Sequence, residues 1–271
     1  RSKTAYRTRS SIATSDSSLD PIFPRRCANS TLEGPRLVSD ECRQFLYRLL
    51  ATPGVSGDEQ RVQAVVQQYA SGFCDLVEFD LHGNLTLAIN PGSTFRVMLA
   101  GHADQIGLLV SQIDDQGFVN FQTVGGWDPQ QLIGQRVQVW SAKGCVPGVI
   151  SRKPIHLLEE SERNTVVKFT DMWIDIGATD QEQSRQLVHV GDPVTLQMGH
   201  QELRGGAITA VALDNRTGVW TVVEALRRAK LKGAQVGVFA VSTVAEEIGL
   251  RGATTSAERI RPQVGIAVDV T

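Results

Sequence analysis

The apolar positions of the chain change texture twice. Ser39, with the side chain of an N-cap, precedes Asp40 and Glu41, and Phe45, Leu46, Leu49 and Leu50 then share one helical face up to Pro53-Gly54. Ser56-Gly-Asp-Glu59 has the form of a capping box, and Val62, Val65, Val66 and Tyr69 repeat at helical spacing to Gly72. Two consecutive helices are predicted. Strand-like runs at 75–80 and 85–89 flank His82-Gly83-Asn84, and the run 96–101 is apolar after Arg96, as a centrally buried strand is. From about 106 to 200 the pattern becomes short β-rich runs, at 106–111, 117–123, 136–140, 145–150, 165–169 and 193–197, separated by Gly, Pro and Asp. Such spacing predicts a small barrel or sandwich. After Gly205-Gly206 a helix over about 216–229 and buried strands at 236–242 and 264–268 restore the first texture. The economical arrangement is an α/β domain in two parts, 37–105 and 201–271, split by an inserted β domain over 106–200.

Residues 1–36 are rich in Ser, Thr and Arg and follow neither period, so they read as a disordered tail, although an organellar transit peptide has a similar composition. The chain begins with Arg1 rather than Met, so its true start is expected upstream.

Composition narrows the class. A 41% hydrophobic and 21% charged make-up over 271 residues is that of a globular protein. The net charge of −2 offers no field that would gather nucleic acid, and no run reaches the roughly 18 apolar residues of a membrane helix. Cys27, Cys42, Cys74 and Cys145 are scattered without a Cys-x-x-Cys pair, which predicts free thiols in a reducing, cytoplasmic setting.

Four places put ionisable residues where an apolar strand gives out or a helix begins: His102-Ala-Asp104, Asp214-Asn-Arg216, Glu246-Glu247 and Asp269. Ligand sites of open α/β sheets lie outside the carboxyl ends of the strands, so all four can meet in one crevice. Imidazole and carboxylates without thiolate suit zinc, cobalt or manganese. A two-metal centre also needs a bridging carboxylate and a base for water. Neighbours in an extended segment point opposite ways, so Glu246 and Glu247 are expected to divide those tasks. Taken singly each residue has an ordinary reading: Asp214 suits a helix cap, and paired glutamates suit a solvated surface.

At these residues the sequence closely resembles the tetrahedral aminopeptidases, co-catalytic metallopeptidases also known as glutamyl aminopeptidases and, in some relatives, as endoglucanase M. The resemblance lies in Gly101-His-Ala-Asp-Gln-Ile-Gly107, Ala212-Leu-Asp-Asn-Arg-Thr-Gly218, Thr243-Val-Ala-Glu-Glu-Ile-Gly-Leu-Arg-Gly-Ala253 and Val268-Asp-Val-Thr271, with Gly125-Gly-Trp-Asp-Pro129, Lys153-Pro-Ile-His156 and Trp173-Ile-Asp-Ile-Gly177 in the insert. It runs from about 39 to 271 and implies an α/β/α sandwich, cut short at its C-terminus and interrupted by an inserted small β-barrel or sandwich domain. It further implies that His102, Asp214 and Asp269 bind one of two divalent ions, zinc or cobalt, with manganese as an alternative. Asp214 would bridge to the second ion, which Glu247 also binds, and Asp104 would orient the His102 ring. Glu246 would be the general base that takes a proton from water and returns it to the leaving amine.

Two departures from the family pattern stand out. Gln105 occupies a place where relatives commonly carry Glu. The family's remaining ligand to the second ion is a later His, whereas the five histidines here, His82, His102, His156, His189 and His200, all precede Asp269. The expectation is of a fragment that continues past Thr271. By resemblance the parent protein removes N-terminal residues from peptides with a free N-terminus and self-associates, as a dodecamer, without nucleic acid or membrane as partner. Two other readings stay open: a non-catalytic assembly or binding protein, and a glycoside hydrolase with two carboxylates as acid and base.

Overall fold

The computed structural model describes residues 38–270. In chain order it holds helices α1 (Asp40–Ala51) and α2 (Gln60–Ala70), then strands β1 (Leu76–Phe79), β2 (Leu85–Ile89) and β3 (Arg96–His102). Six strands follow, β4 (Gly107–Ile113), β5 (Val119–Val124), β6 (Arg136–Ser141), β7 (Gly144–Arg152), β8 (Met172–Asp175) and β9 (Pro193–Leu196), with helices α3 (Glu160–Arg163) and α4 (Gln181–Leu187) between them. The chain ends with β10 (His200–Glu202), β11 (Ile208–Ala210), α5 (Leu213–Leu231), β12 (Gly237–Thr243), α6 (Arg251–Ile260) and β13 (Val264–Ala267).

A five-stranded sheet runs β1-β2-β12-β3-β13, with β12 and β13 both parallel to β3. Burial of every residue of β2 and β12 explains why their sequences are apolar without alternation. Helices cover both faces. Phe45 and Leu49 of α1, Val62 and Val66 of α2, and Val219, Val222, Val223 and Leu226 of α5 pack with Leu85, Leu87 and Ala240 on one side. Ile260 of α6 meets Met98, Phe239 and Val241 on the other. The α/β/α layering expected from the sequence is present.

The β-rich stretch closes into a barrel in the order β4-β5-β8-β7-β6-β9 around Leu108, Val110, Val119, Ile150, Met172, Ile174 and Val194. None of the helices described is long and apolar enough to cross a membrane.

Local differences from the expected elements have physical causes. Ser39 caps α1, its Oγ accepting from the Cys42 N–H at 3.2 Å. The capping box expected at Ser56 does not form: α2 begins at Gln60, and Ser56 Oγ is instead spent on Asp104, 2.6 Å away. The run 165–169 is not a strand, and the sheet position falls to Met172–Asp175, where buried Met172 and Ile174 alternate with half-buried Trp173 and Asp175. The last strand, read as buried, is exposed at all four residues, with Val264 at 41% and Ile266 at 48%, because among the described residues it pairs with β3 alone. Helices α4 and α6, both polar in composition, were not expected from the apolar pattern. The tail reading and Cys27 fall outside the described residues, while Cys42, Cys74 and Cys145 are free thiols.

One packing contact fixes the relation between β3 and α5. A Cβ on Gly101 would lie 2.6 Å from the Gly218 carbonyl carbon and 2.7 Å from the Val219 nitrogen. Strand end and helix start therefore touch backbone to backbone, which the missing side chain of Gly101 allows. The first turn of α5 is brought against the carboxyl end of β3.

Candidate metal centre

The carboxyl ends of β3, β12 and β13 lie side by side in register, Thr243 opposite His102 and Ala267 opposite Ala100. The segments leaving these strands carry the ionisable residues. His102 is 3% exposed and forms the floor. Its Nε2 lies 3.1 Å from Asp214 Oδ1, 3.6 Å from Glu246 Oε2 and 3.8 Å from Asp269 Oδ1. The four sequence positions are thus brought together, around one imidazole.

The other ring nitrogen is held from behind. His102 Nδ1 sits 3.1 Å from the Asp104 backbone oxygen and 3.5 Å from Asp104 Oδ1. Both neighbours are acceptors, so Nδ1 is the donor and Nε2 faces the carboxylates. Asp104 is fully buried and saturated. Its Oδ1 accepts from the Glu246 N–H at 3.0 Å, and its Oδ2 from the Glu247 N–H at 3.1 Å and the Ser56 hydroxyl at 2.6 Å. One carboxylate thereby fixes both the ring and the backbone that carries the two glutamates.

Glu246 and Glu247 do not diverge as an extended segment would make them. Ala245 takes a left-handed φ of 55°, its N–H donating to Glu59 Oε1 at 3.1 Å, and the strand alternation is broken. An oxygen of each glutamate and a nitrogen of His102 lie within 4.8 Å of one another, and so do donor atoms of His102, Asp214 and Asp269. A barrel turn closes one wall: a Cβ on Gly125, itself at φ 77°, would stand 3.6 Å from Glu247 Cβ.

The charges are unbalanced. Burial works against a charge on His102, yet Asp104, by hydrogen bond and by charge, with Glu246 and Asp214 lifts it to about 9. Burial, then the charge of Asp214, pushes Glu247 up to about 7, and burial raises Glu246. Burial opposes the charge of Asp104 too, but hydrogen bonds from His102, Ser56 and two backbone amides hold it below the ordinary range. One imidazole ringed by carboxylates, without a thiolate, is the donor chemistry of a divalent ion such as zinc, cobalt or manganese. The residues present fit such an ion.

Several supporting residues have roles that the sequence did not reveal. Asn215 donates from Nδ2 to the Val268 carbonyl at 2.7 Å and accepts from the Gly218 N–H at 2.9 Å, linking the Asp214 and Asp269 segments. Ser56 carries a helix-cap signature that concealed its contact with Asp104. His82 and His200 are engaged elsewhere, with Thr255 and stacked on Tyr47 respectively, and His156 and His189 belong to neither donor group.

Residues 83–271 match the model of the M42 glutamyl aminopeptidase family. A relative from Acetivibrio thermocellus, named provisionally as an aminopeptidase, is 38% identical over 227 residues, covering 84% of this chain and 65% of its own. The TET aminopeptidase from a marine-sediment Thaumarchaeota archaeon superposes with a TM-score of 0.83 at 37% identity, over 86% of this chain and 66% of that one. The Pyrococcus horikoshii TET1 peptidase, which can assemble into a tetrahedron or a large octahedral shell, gives a TM-score of 0.77 at 33% identity, over 84% and 68%. The chain thus spans about two thirds of the length of these proteins. With a matched region running from the turn before β2 through every strand end that supplies a donor, the chain belongs to the M42 glutamyl aminopeptidase family.

Proposed function

We propose that the protein is a dinuclear metal-dependent aminopeptidase acting on peptides with a free N-terminus. The observation that carries this reading is the gathering of Asp214, Glu246, Glu247 and Asp269 around the one buried imidazole of His102. In this reading His102, Asp214 and Asp269 hold one ion, and Asp214 and Glu247 hold the second. Zinc, cobalt or manganese in such a place polarises the scissile carbonyl and makes water acidic enough to attack at neutral pH.

The chain's own groups supply the rest. Asp104 fixes the ring of His102 through Nδ1 and holds the Glu246 and Glu247 amides, so donors and base move as one body. Glu246, 23% exposed and not required in the first donor group, is the side chain free to take a proton from the attacking water and hand it to the departing amine. Half-exposed Asp214 and Asp269 form the mouth through which a peptide end enters.

A glycoside hydrolase would need its acid and base roughly 5–9.5 Å apart across a sugar. The paired glutamates here have oxygens within 4.8 Å of each other, and His102 and the aspartates would have no part. The likeness to TET peptidases supports self-association into a closed homo-oligomer, a dodecamer among the arrangements, as a further part of the proposal.

Glu246→Gln is the direct test. It keeps every donor of the first group, so bound metal per chain is expected to stay at the parent value while hydrolysis of an aminoacyl-p-nitroanilide falls at least ~100-fold. Near-parent turnover would remove Glu246 from the base role. Metal binding with no hydrolysis by the parent protein would favour the binding-protein reading.

A further inference from the structure

Beneath the donor residues lies a buried cation whose partners are all neutral. Arg216 is fully buried; its Nη1 donates to the Leu49 and Thr52 carbonyls at 3.1 and 3.2 Å, and its Nη2 to Gly54 O at 3.5 Å and Gln105 Oε1 at 3.2 Å. Its Nε has no hydrogen-bond partner among the described residues. Asp104 and Glu59 act on it only through space. A guanidinium in such surroundings depends on each acceptor, because losing one leaves a charged donor buried and unpaired. Three of the four are backbone carbonyls from the end of α1 and the α1–α2 junction; among the described residues Gln105 supplies the only side chain.

Gln105 is 2% exposed and stands where the chain leaves the sheet for the barrel. Its backbone is pinned to the 54–56 segment, donating to Gly54 O at 3.0 Å and accepting from Ser56 N at 3.3 Å. Its Nε2 reaches Met198 Sδ at 3.7 Å, on the stretch by which the chain comes back. The same side chain therefore grips the outgoing crossing, the returning crossing and the start of α5. Arg216 lies two residues after Asp214, whose side chain is 56% exposed and reaches His102 Nε2 at 3.1 Å.

We infer that Gln105 is a positioning residue for Asp214: its Oε1 anchors the Arg216 guanidinium, and the anchored first turn of α5 keeps Asp214 beside His102. Gln105 touches none of the donors, so it acts through Arg216. The inference rests on the metal-centre reading for its consequence and on the hydrogen-bond geometry for its cause, and the two are separable by experiment.

Gln105→Met keeps length and burial but removes the acceptor; Gln105→Glu returns an acceptor of greater strength. Two measurements are made on the whole chain: cobalt titration followed by its visible absorption, and amide hydrogen exchange over 213–219 without metal. Gln105→Met is expected to lower cobalt affinity about tenfold or more, to alter the absorption band and to speed exchange in that turn. Gln105→Glu is expected to restore all three. Parent-like exchange and affinity in Gln105→Met would overturn the inference, as would a Gln105→Glu that behaves like Gln105→Met. Should Gln105→Met not fold, Gln105→Asn, which keeps the amide but falls short of Arg216, carries the same expectations. A parent that binds no cobalt sinks the metal-centre reading, and exchange alone then decides the role of Gln105.

Discussion

Asp104 supports several neighbours at once, and it can do so because it is fully buried and accepts three hydrogen bonds in addition to its contact with the His102 ring. Ser56→Ala deletes one of those donors while the two amides remain. The expected cost is about 1–2 kcal/mol, read as a lowered urea midpoint at unchanged slope. The approach of Asp104 to the His102 ring was expected from the family resemblance; that of Ser56 to Asp104 was not. Ser-x-x-Glu before an apolar run favours a cap on local grounds, and only the approach of residue 104, far along the chain, makes a better acceptor available. Arg216 and Asn215 were hidden for the same reason: their partners, Gln105 and Val268, are distant in sequence.

At the scale of elements, α1, α2 and α5 are clasped at one point. Glu224 of α5 binds Arg227 with both oxygens, at 2.7–3.1 Å, and accepts from the Tyr69 hydroxyl of α2. Burial opposes its charge, but the bonds from Arg227, Tyr69 and the Cys42 thiol of α1 hold its carboxyl below the ordinary 4.5. A depressed carboxyl stabilises the fold above the unfolded value and loses that contribution as pH falls through the folded one. Glu224→Gln is therefore expected to cost about 1.5–3 kcal/mol at pH 7, a gap to the parent that narrows below about 4.5 in chemical denaturation. A gap independent of pH would discount the charge. Strands β2, β3 and β12 were readable because burial on both faces leaves continuous apolar runs. Helices α4 and α6 were not, since short polar helices carry little period, and the exposure of β13 depends on what pairs beside it.

For the molecule as a whole, the mutual repulsion of Asp214, Glu246, Glu247 and Asp269 around one imidazole is a cost of folding that a divalent cation relieves. Zinc or cobalt at a hundred times its dissociation constant is expected to add about 2.7 kcal/mol, or roughly 5–10 °C in melting temperature for a chain of this size. Chelator should reverse the shift in differential scanning calorimetry; an unchanged melting point would count against the centre. Texture foresaw an α/β domain split by a small barrel or sandwich, and the family resemblance its layering; what sequence could not supply was the closure of the barrel and the junction where the Gly125 turn stands against Glu247. The junction of β3 with α5 has a consequence of a genetic kind. Any side chain at Gly101 would have to displace the backbone of Gly218, and with it the turn bearing Asp214. A loss-of-function allele can thus arise at a residue that carries no functional group, leaving every donor in the sequence intact but Asp214 out of its place.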